Sequence, residues 1–133
     1  MPGAGSKTRP GYRAMEGREG TMQNYQNYDL KQGTGYDLPV TILQSGENLD
    51  VSEVEKIEFM IGRHIRREYP REVSYDPDTG VFGVPVTQEE TLAIRAAEIM
   101  DLDVRVKFLS GAVIGAAEKP VITIDEAYGR EVL

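Results

Sequence analysis

The chain has no cysteine and no tryptophan, and one histidine, in 133 residues. Without cysteine there is no disulfide framework, thiolate metal site, iron–sulfur ligation or cysteine nucleophile. A single histidine, His64, is too few for a histidine-rich metal centre. Positive charge is also short. Fifteen Lys and Arg face 22 Asp and Glu, and the net charge of -7 argues against a protein that lives by contacts to nucleic-acid phosphates. No apolar run approaches the roughly 18 residues of a membrane span, and the glycine-rich N-terminal stretch lacks the apolar segment of a signal peptide. These absences lead to the expectation of a soluble cytosolic protein that binds neither nucleic acid nor membrane. The length suits one domain.

Bulky aliphatic residues are missing from one end. Residues 1 to 36 contain no Val, Ile or Phe and one Leu, Leu30, yet they hold half of the glycines. Ordering a residue costs about 1–2 kcal/mol of backbone entropy, which so little apolar surface does not offset. The segment therefore reads as a flexible, weakly basic arm on a single acidic core domain over residues 37 to 133. Within it, Tyr25, Tyr28 and Tyr36 lie among Gln and Asn with nothing local to pack on. Aromatic rings placed in this way are candidate anchors for a partner protein.

The core pattern predicts an α+β fold in the order β-α-β-β-α-β-β, with two helices on one side of a small, mainly antiparallel sheet. Val40 to Leu43 reads as a first strand. Asp50 and Glu53 have capping-box spacing, and Val51, Val54, Ile57, Met60, Ile61, His64 and Ile65 follow at helical intervals. Arg63, Arg66 and Arg67 would complement that helix's C-terminus, and Pro70 would stop it. Glu72 to Asp76 and Val81 to Val86 read as a hairpin around Pro77-Asp78-Thr79-Gly80, with Pro85 placing the second strand at an edge or a bulge. Thr87 and Glu90 repeat the capping-box spacing, which opens a second helix reaching about Met100. Val104, Val106 and Phe108 alternate with charged residues as in a half-buried strand. Val113 to Ala117 and Val121 to Asp125 read as a final hairpin divided by Glu118-Lys119-Pro120.

No catalytic, cofactor-binding or metal-ligating residue emerges from the pattern. Asp76-Pro77-Asp78-Thr79-Gly80 starts like a calcium loop, but Val81 and Thr87 stand where that loop needs Gly and Glu. His64 has no Ser or Asp constellation around it. Glu89-Glu90, Asp101 with Asp103, and Asp125-Glu126 read as solvated acids, because neighbours on a helix or strand diverge. The small residues Ser110, Gly111, Ala112, Val113 and Gly115 permit close backbone approach and are the second candidate partner-binding segment.

The segment Ser110 to Gly115, leading into Val121-Ile122-Thr123-Ile124-Asp125-Glu126, resembles the effector, or coupling, proteins of bacterial soluble diiron monooxygenases. Ile114-Gly115 and Ile122-Thr123-Ile124 carry the likeness, and Val40 to Gly46 and Val81 to Val86 resemble that family's opening strand and central hairpin strand. The resemblance covers about residues 38 to 129. It implies a cofactor-free, non-catalytic regulatory protein, monomeric when free, that binds a diiron hydroxylase and tunes substrate access, oxygen activation and electron coupling. The pattern leaves two alternatives: a ferredoxin-like module that binds a small ligand or assembles through its sheet, and a small enzyme.

Overall fold

The computed structural model of the chain describes residues 22–23 and 27–133, and among them strands predominate. In chain order these are β1 (Met22–Gln23), β2 (Tyr28–Lys31), β3 (Tyr36–Thr41), β4 (Leu43–Gln44), β5 (Glu47–Asn48), β6 (Val54–Ile61), β7 (Ile65–Tyr69), β8 (Ser74–Asp76) and β9 (Val81–Val86). A short helix α1 (Gln88–Ala93) precedes β10 (Ile99–Phe108), β11 (Val113–Gly115) and β12 (Val121–Asp125).

The larger sheet has the order β2-β12-β10-β6-β7, with β11 also paired to β10. A second sheet, β3-β9-β8, faces it, and β1-β4-β5 form a small third one. Pairing in the larger sheet is antiparallel except between β12 and β2, which run parallel with Ile122 opposite Tyr28. Alternation fixes which face each strand buries. Ile57, Phe59 and Ile61 of β6 and Leu102, Val104 and Val106 of β10 point inward, and Val40, Phe82 and Val84 meet them from the second sheet. Burying each such side chain contributes about 1.5–3 kcal/mol. An aromatic cluster closes one side of this sandwich. Phe82 lies 4.7 Å from Tyr75, 5.3 Å from Tyr69 and 5.8 Å from Phe59, centroid to centroid.

The α+β fold expected from the sequence is therefore corrected to a β-sandwich. The segment expected as the first helix is a single 3-10 turn, Val51–Glu53, followed by β6 and β7. Ile57 and Ile61 satisfy a period of two and a helical period equally well, since they are four residues apart. Phe59, which fits only the former, is fully buried and decides between them. The second helix begins as expected, with both halves of the Thr87–Glu90 capping box formed, but it ends at Ala93. Ile94 turns extended and buries its side chain, Ala97 takes φ 66°, and Ile99 already belongs to β10.

The expected final hairpin is also corrected, because β11 and β12 do not pair with each other. Both lie antiparallel along β10, one after the other, with Arg105 opposite Gly115 and Asp101 opposite Val121. Residues 116 to 120 bulge between them and stay tied to β10. The Ala116 N–H donates to Val104 O at 2.8 Å, and the Leu102 N–H donates to Pro120 O at 2.9 Å. The hairpin of β8 and β9 forms around Gly80 at φ 76°. Pro85 is locally at an edge, since β8 pairs with β9 only as far as Gly83.

The arm boundary expected at residue 36 falls inside the folded unit. Tyr28 and Leu30 are core residues of β2, and Tyr36 opens β3.

Candidate functional site

Edge strands expose unpaired backbone N–H and C=O groups, so the way each edge is finished bears directly on what the molecule can bind. At β3, Pro39 has no N–H and its carbonyl accepts the Tyr28 hydroxyl at 2.7 Å. At β7, the Glu68 N–H donates to the Glu72 carboxylate at 3.0 Å, and the Glu68 carbonyl accepts the Glu72 N–H at 2.7 Å. Arg67 Nη1 donates to the neighbouring Arg66 carbonyl at 3.1 Å. At β2, the Lys31 N–H donates to the Tyr36 hydroxyl at 2.9 Å.

The β11 edge is finished differently. Its even-numbered neighbours turn their backbone toward β10: the Phe108 N–H donates to Ala112 O, and the Ala116 N–H to Val104 O, both at 2.8 Å. Because backbone groups alternate sides along a strand, those of Val113 and Gly115 face away from β10. Among the described residues no strand pairs with β11 on that side, and neither Val113 nor Gly115 has a backbone partner there. The side chains alternate likewise. Ala112, Ile114 and Ala116 are half-buried against the core, whereas Val113 is 55% exposed and Leu109 in the preceding turn 64% exposed.

Gly115 has no internal reason to be glycine. Its φ is not positive, and a Cβ placed on it would sit 3.9 Å from Arg105 Cγ and from Val104 O, which is ordinary contact. Gly111, in the turn, does need its freedom, at φ 95°.

Charges beside this edge are neutralised within the sheet. Arg105 and Arg66 each reach Glu58 at 2.8 Å, and Lys107 lies 3.5 Å from Glu55. Burial works to raise the Glu58 carboxyl, but the hydrogen bonds and positive charge of Arg66 and Arg105 outweigh it and hold it below the usual range. At the opposite end of the same sheet face, an open depression of about 680 Å3 is lined by Met60, His64, Glu98, Ile99, Asp101 and Lys119, among others. His64 Nε2 and Glu98 Oε2 are 2.8 Å apart there, and no Ser, Thr or Tyr hydroxyl lines the space to serve as a nucleophile. Among the described residues no three His, Asp or Glu side chains are placed to share a metal ion.

Of the residues expected to bind a partner, Ser110, Gly111, Ala112, Val113 and Gly115 are brought together on this one hairpin. Tyr28 and Tyr36 are not exposed anchors: Tyr28 is buried, and Tyr36 is half-buried with its hydroxyl engaged by Lys31. Tyr25 lies outside the described residues. The acidic pairs are separated in role. Glu90 closes the capping box and binds Arg67 at 2.6 Å, Asp101 lines the depression, and Asp125 accepts the Gln32 N–H through its backbone carbonyl.

Sequence reasoning missed the two buried polar side chains. Gln32 donates to Ile94 O at 2.7 Å and accepts from Arg130 Nη1 at 2.6 Å. Thr91 accepts the Gly33 N–H at 2.9 Å. Both are satisfied internally, and their role is to hold the chain after β2 against α1. No sequence signal marks Gln32, because its partners are 62 and 98 residues away.

No protein-family model matches this chain. No curated protein matches it. Among solved structures, the fibronectin(III)-like modules of CbhA from Clostridium thermocellum are similar over 85% of this chain and 100% of theirs, at 12% identity and a TM-score of 0.45. No helix among the described residues is long and apolar enough to cross a membrane.

Proposed function

We propose that the chain is a binding module that acts by contact with another polypeptide, adding an extended strand to its larger sheet along Val113–Gly115. The observation that carries this reading is the contrast between edges. The β3, β7 and β2 edges have backbone groups capped by side chains or removed by proline, whereas β11 keeps alternating donors and acceptors beside an exposed Val113. Main-chain hydrogen bonds then supply affinity, and the side chains flanking the edge supply selectivity.

The two-helix α+β core that the sequence pattern predicts, over which the coupling-protein resemblance runs, is not the fold of this chain. What is kept from it is the general mode of action: a protein without chemistry of its own that changes another by binding it. Such a protein shifts its partner only by its differential affinity for the partner's states.

The test uses the full chain and a generic strand-forming probe, an N-acetylated, C-amidated peptide of alternating threonine and valine with lysine ends. Slowed amide exchange confined to Val113, Gly115 and their neighbours is the expected result. Binding elsewhere, or none at millimolar peptide, overturns the reading.

A further inference from the structure

We propose that the strand taken by the β11 edge belongs to an acidic segment of another protein, with a glutamate or aspartate opposite Gly115 and a β-branched residue opposite Val113. This rests on the strand-addition reading above and names the partner's chemistry.

The edge forms one wall of a charged hollow. On the outer face of the larger sheet a depression of about 190 Å3 reaches from β7 to β11, with Val113 on its β11 side. Its lining carries four cations, Lys56, Arg66, Arg105 and Lys107, and two carboxylates, Glu58 and Glu68. In a chain of net charge -7 this is a local excess of positive charge. The pairing inside it locates the surplus. Glu58 takes Arg66 on Oε2 and Arg105 on Oε1, so one carboxylate is shared by two guanidiniums. Glu68 is 3.4 Å from Arg66, and Glu55 is 3.5 Å from Lys107. Lys56 has no ion-pair partner among the described residues, and the register of β6 with β10 sets it directly opposite Lys107. Like charges opposite each other on one face of a sheet are destabilising. An acidic side chain brought to this face relieves that opposition.

Strand addition brings one. Across β11, Arg105 lies opposite Gly115 and Lys107 opposite Val113. A strand added beyond β11 stands two strand spacings, about 10 Å, from β10, and its residues opposite Val113 and Gly115 share the outer face with both cations. At Gly115 no side chain intervenes, so a carboxylate from the added strand and the Arg105 guanidinium extend toward each other over bare backbone. The Arg105 side chain is 58% exposed, and its Nε and Nη2 both meet a single oxygen of Glu58. A guanidinium has five N–H donors, which is enough for a second carboxylate. Val113 stands in the corresponding path to Lys107, so its own position suits an apolar cross-strand neighbour. The recognised pattern is an acid and a β-branched residue two positions apart. A cation in place of the acid meets the same surplus as repulsion, so the edge selects against basic strands as well as for acidic ones.

The experiment uses the full chain and three versions of the capped threonine–valine peptide that differ at one central threonine: threonine kept, glutamate, or lysine. NMR titration gives the affinities at low ionic strength and again at about 1 M salt, where the screening length falls to about 3 Å. The glutamate peptide should bind roughly two- to fivefold tighter than the threonine peptide, the size expected of an exposed ion pair, and the lysine peptide should be weaker by a similar factor. High salt should remove these differences. Arg105→Gln should bring the glutamate peptide to the affinity of the threonine peptide, and Arg105→Glu should reverse the order of glutamate and lysine. Gly115→Val, which keeps the backbone donor but places a side chain in the path, should also erase the advantage of glutamate. Three peptides that protect Val113 and Gly115 with equal affinity overturn this inference and leave strand addition standing. Failure of all three to bind overturns both. A thymidine oligonucleotide that binds as tightly as the glutamate peptide, without protecting Val113 and Gly115, shows a plain anion surface and overturns the acidic-strand partner.

Discussion

Two of the edges of the larger sheet, β7 and β11, are built from opposite materials. At β7 the backbone is capped by Glu72, Arg67 is pinned to Glu90, and Tyr69, Tyr75 and Phe82 fill the space beneath. At β11 the outer face carries Val113 and Gly115, and the core beneath thins to Ala112, Ile114 and Ala116. The difference teaches that one edge spends side chains on preventing association and the other leaves its backbone free to associate.

The largest effect should come from the closed side. Phe82→Ala removes the hub of the aromatic cluster and should destabilise by about 3–5 kcal/mol, against about 1 kcal/mol for the half-buried Ile114→Ala. Denaturant midpoints at constant m-value measure both. Equal losses would show that the two edges draw on the core alike. Next, Arg67→Ala leaves a partly buried Glu90 carboxylate without its guanidinium and should cost about 2–3 kcal/mol, restored in part by adding Glu90→Gln. A double-mutant cycle checks the coupling.

Much of the local structure was legible before the fold was. Thr87 and Glu90 form the capping box their spacing predicts, Gly80 turns the predicted hairpin, and charged residues alternate along β10 as they should. The failures share a physical cause. Between Val51 and Ile65 the apolar residues fit two periods, and only the pairing of β6 with both β10 and β7, which is not local, decides between them. The candidate site was half legible. Small residues from Ser110 to Gly115 suggested close approach, but their being an open edge depends on β12 leaving β11 uncovered. Tyr28 and Leu30 read as part of an arm because their burial comes from β12, more than 90 residues on in the chain, as the 94-residue separation of Asp29 and Thr123 measures.

Acidity sharpens the comparison in a third way. Burial works to raise the Glu90 carboxyl, but the Thr87 N–H and Arg67 hold it below its ordinary value of 4.5, and Glu58 is likewise lowered. A lowered carboxylate contributes stability that is complete above the ordinary value and is lost as the pH falls through the folded-state value. Stability should therefore drop below about pH 4, and amide exchange should rise first around β7. Glu90→Gln should flatten that dependence; an unchanged acid profile would disconnect the pair from the edge. The smallest expected effect is Glu72→Ala. It frees the Glu68 N–H for about 1 kcal/mol of lost stability and should give β7 a new tendency to associate, readable as a concentration-dependent mass.

The parallel contact between β2 and β12 sets a condition on how the chain acquires its shape. Bringing Tyr28 beside Ile122 closes a loop spanning most of the described sequence, and little local reward accompanies it. Refolding should run in the millisecond-to-second range typical of non-local β topologies, and a fluorescent reporter near Tyr28 should dock in the slowest kinetic phase.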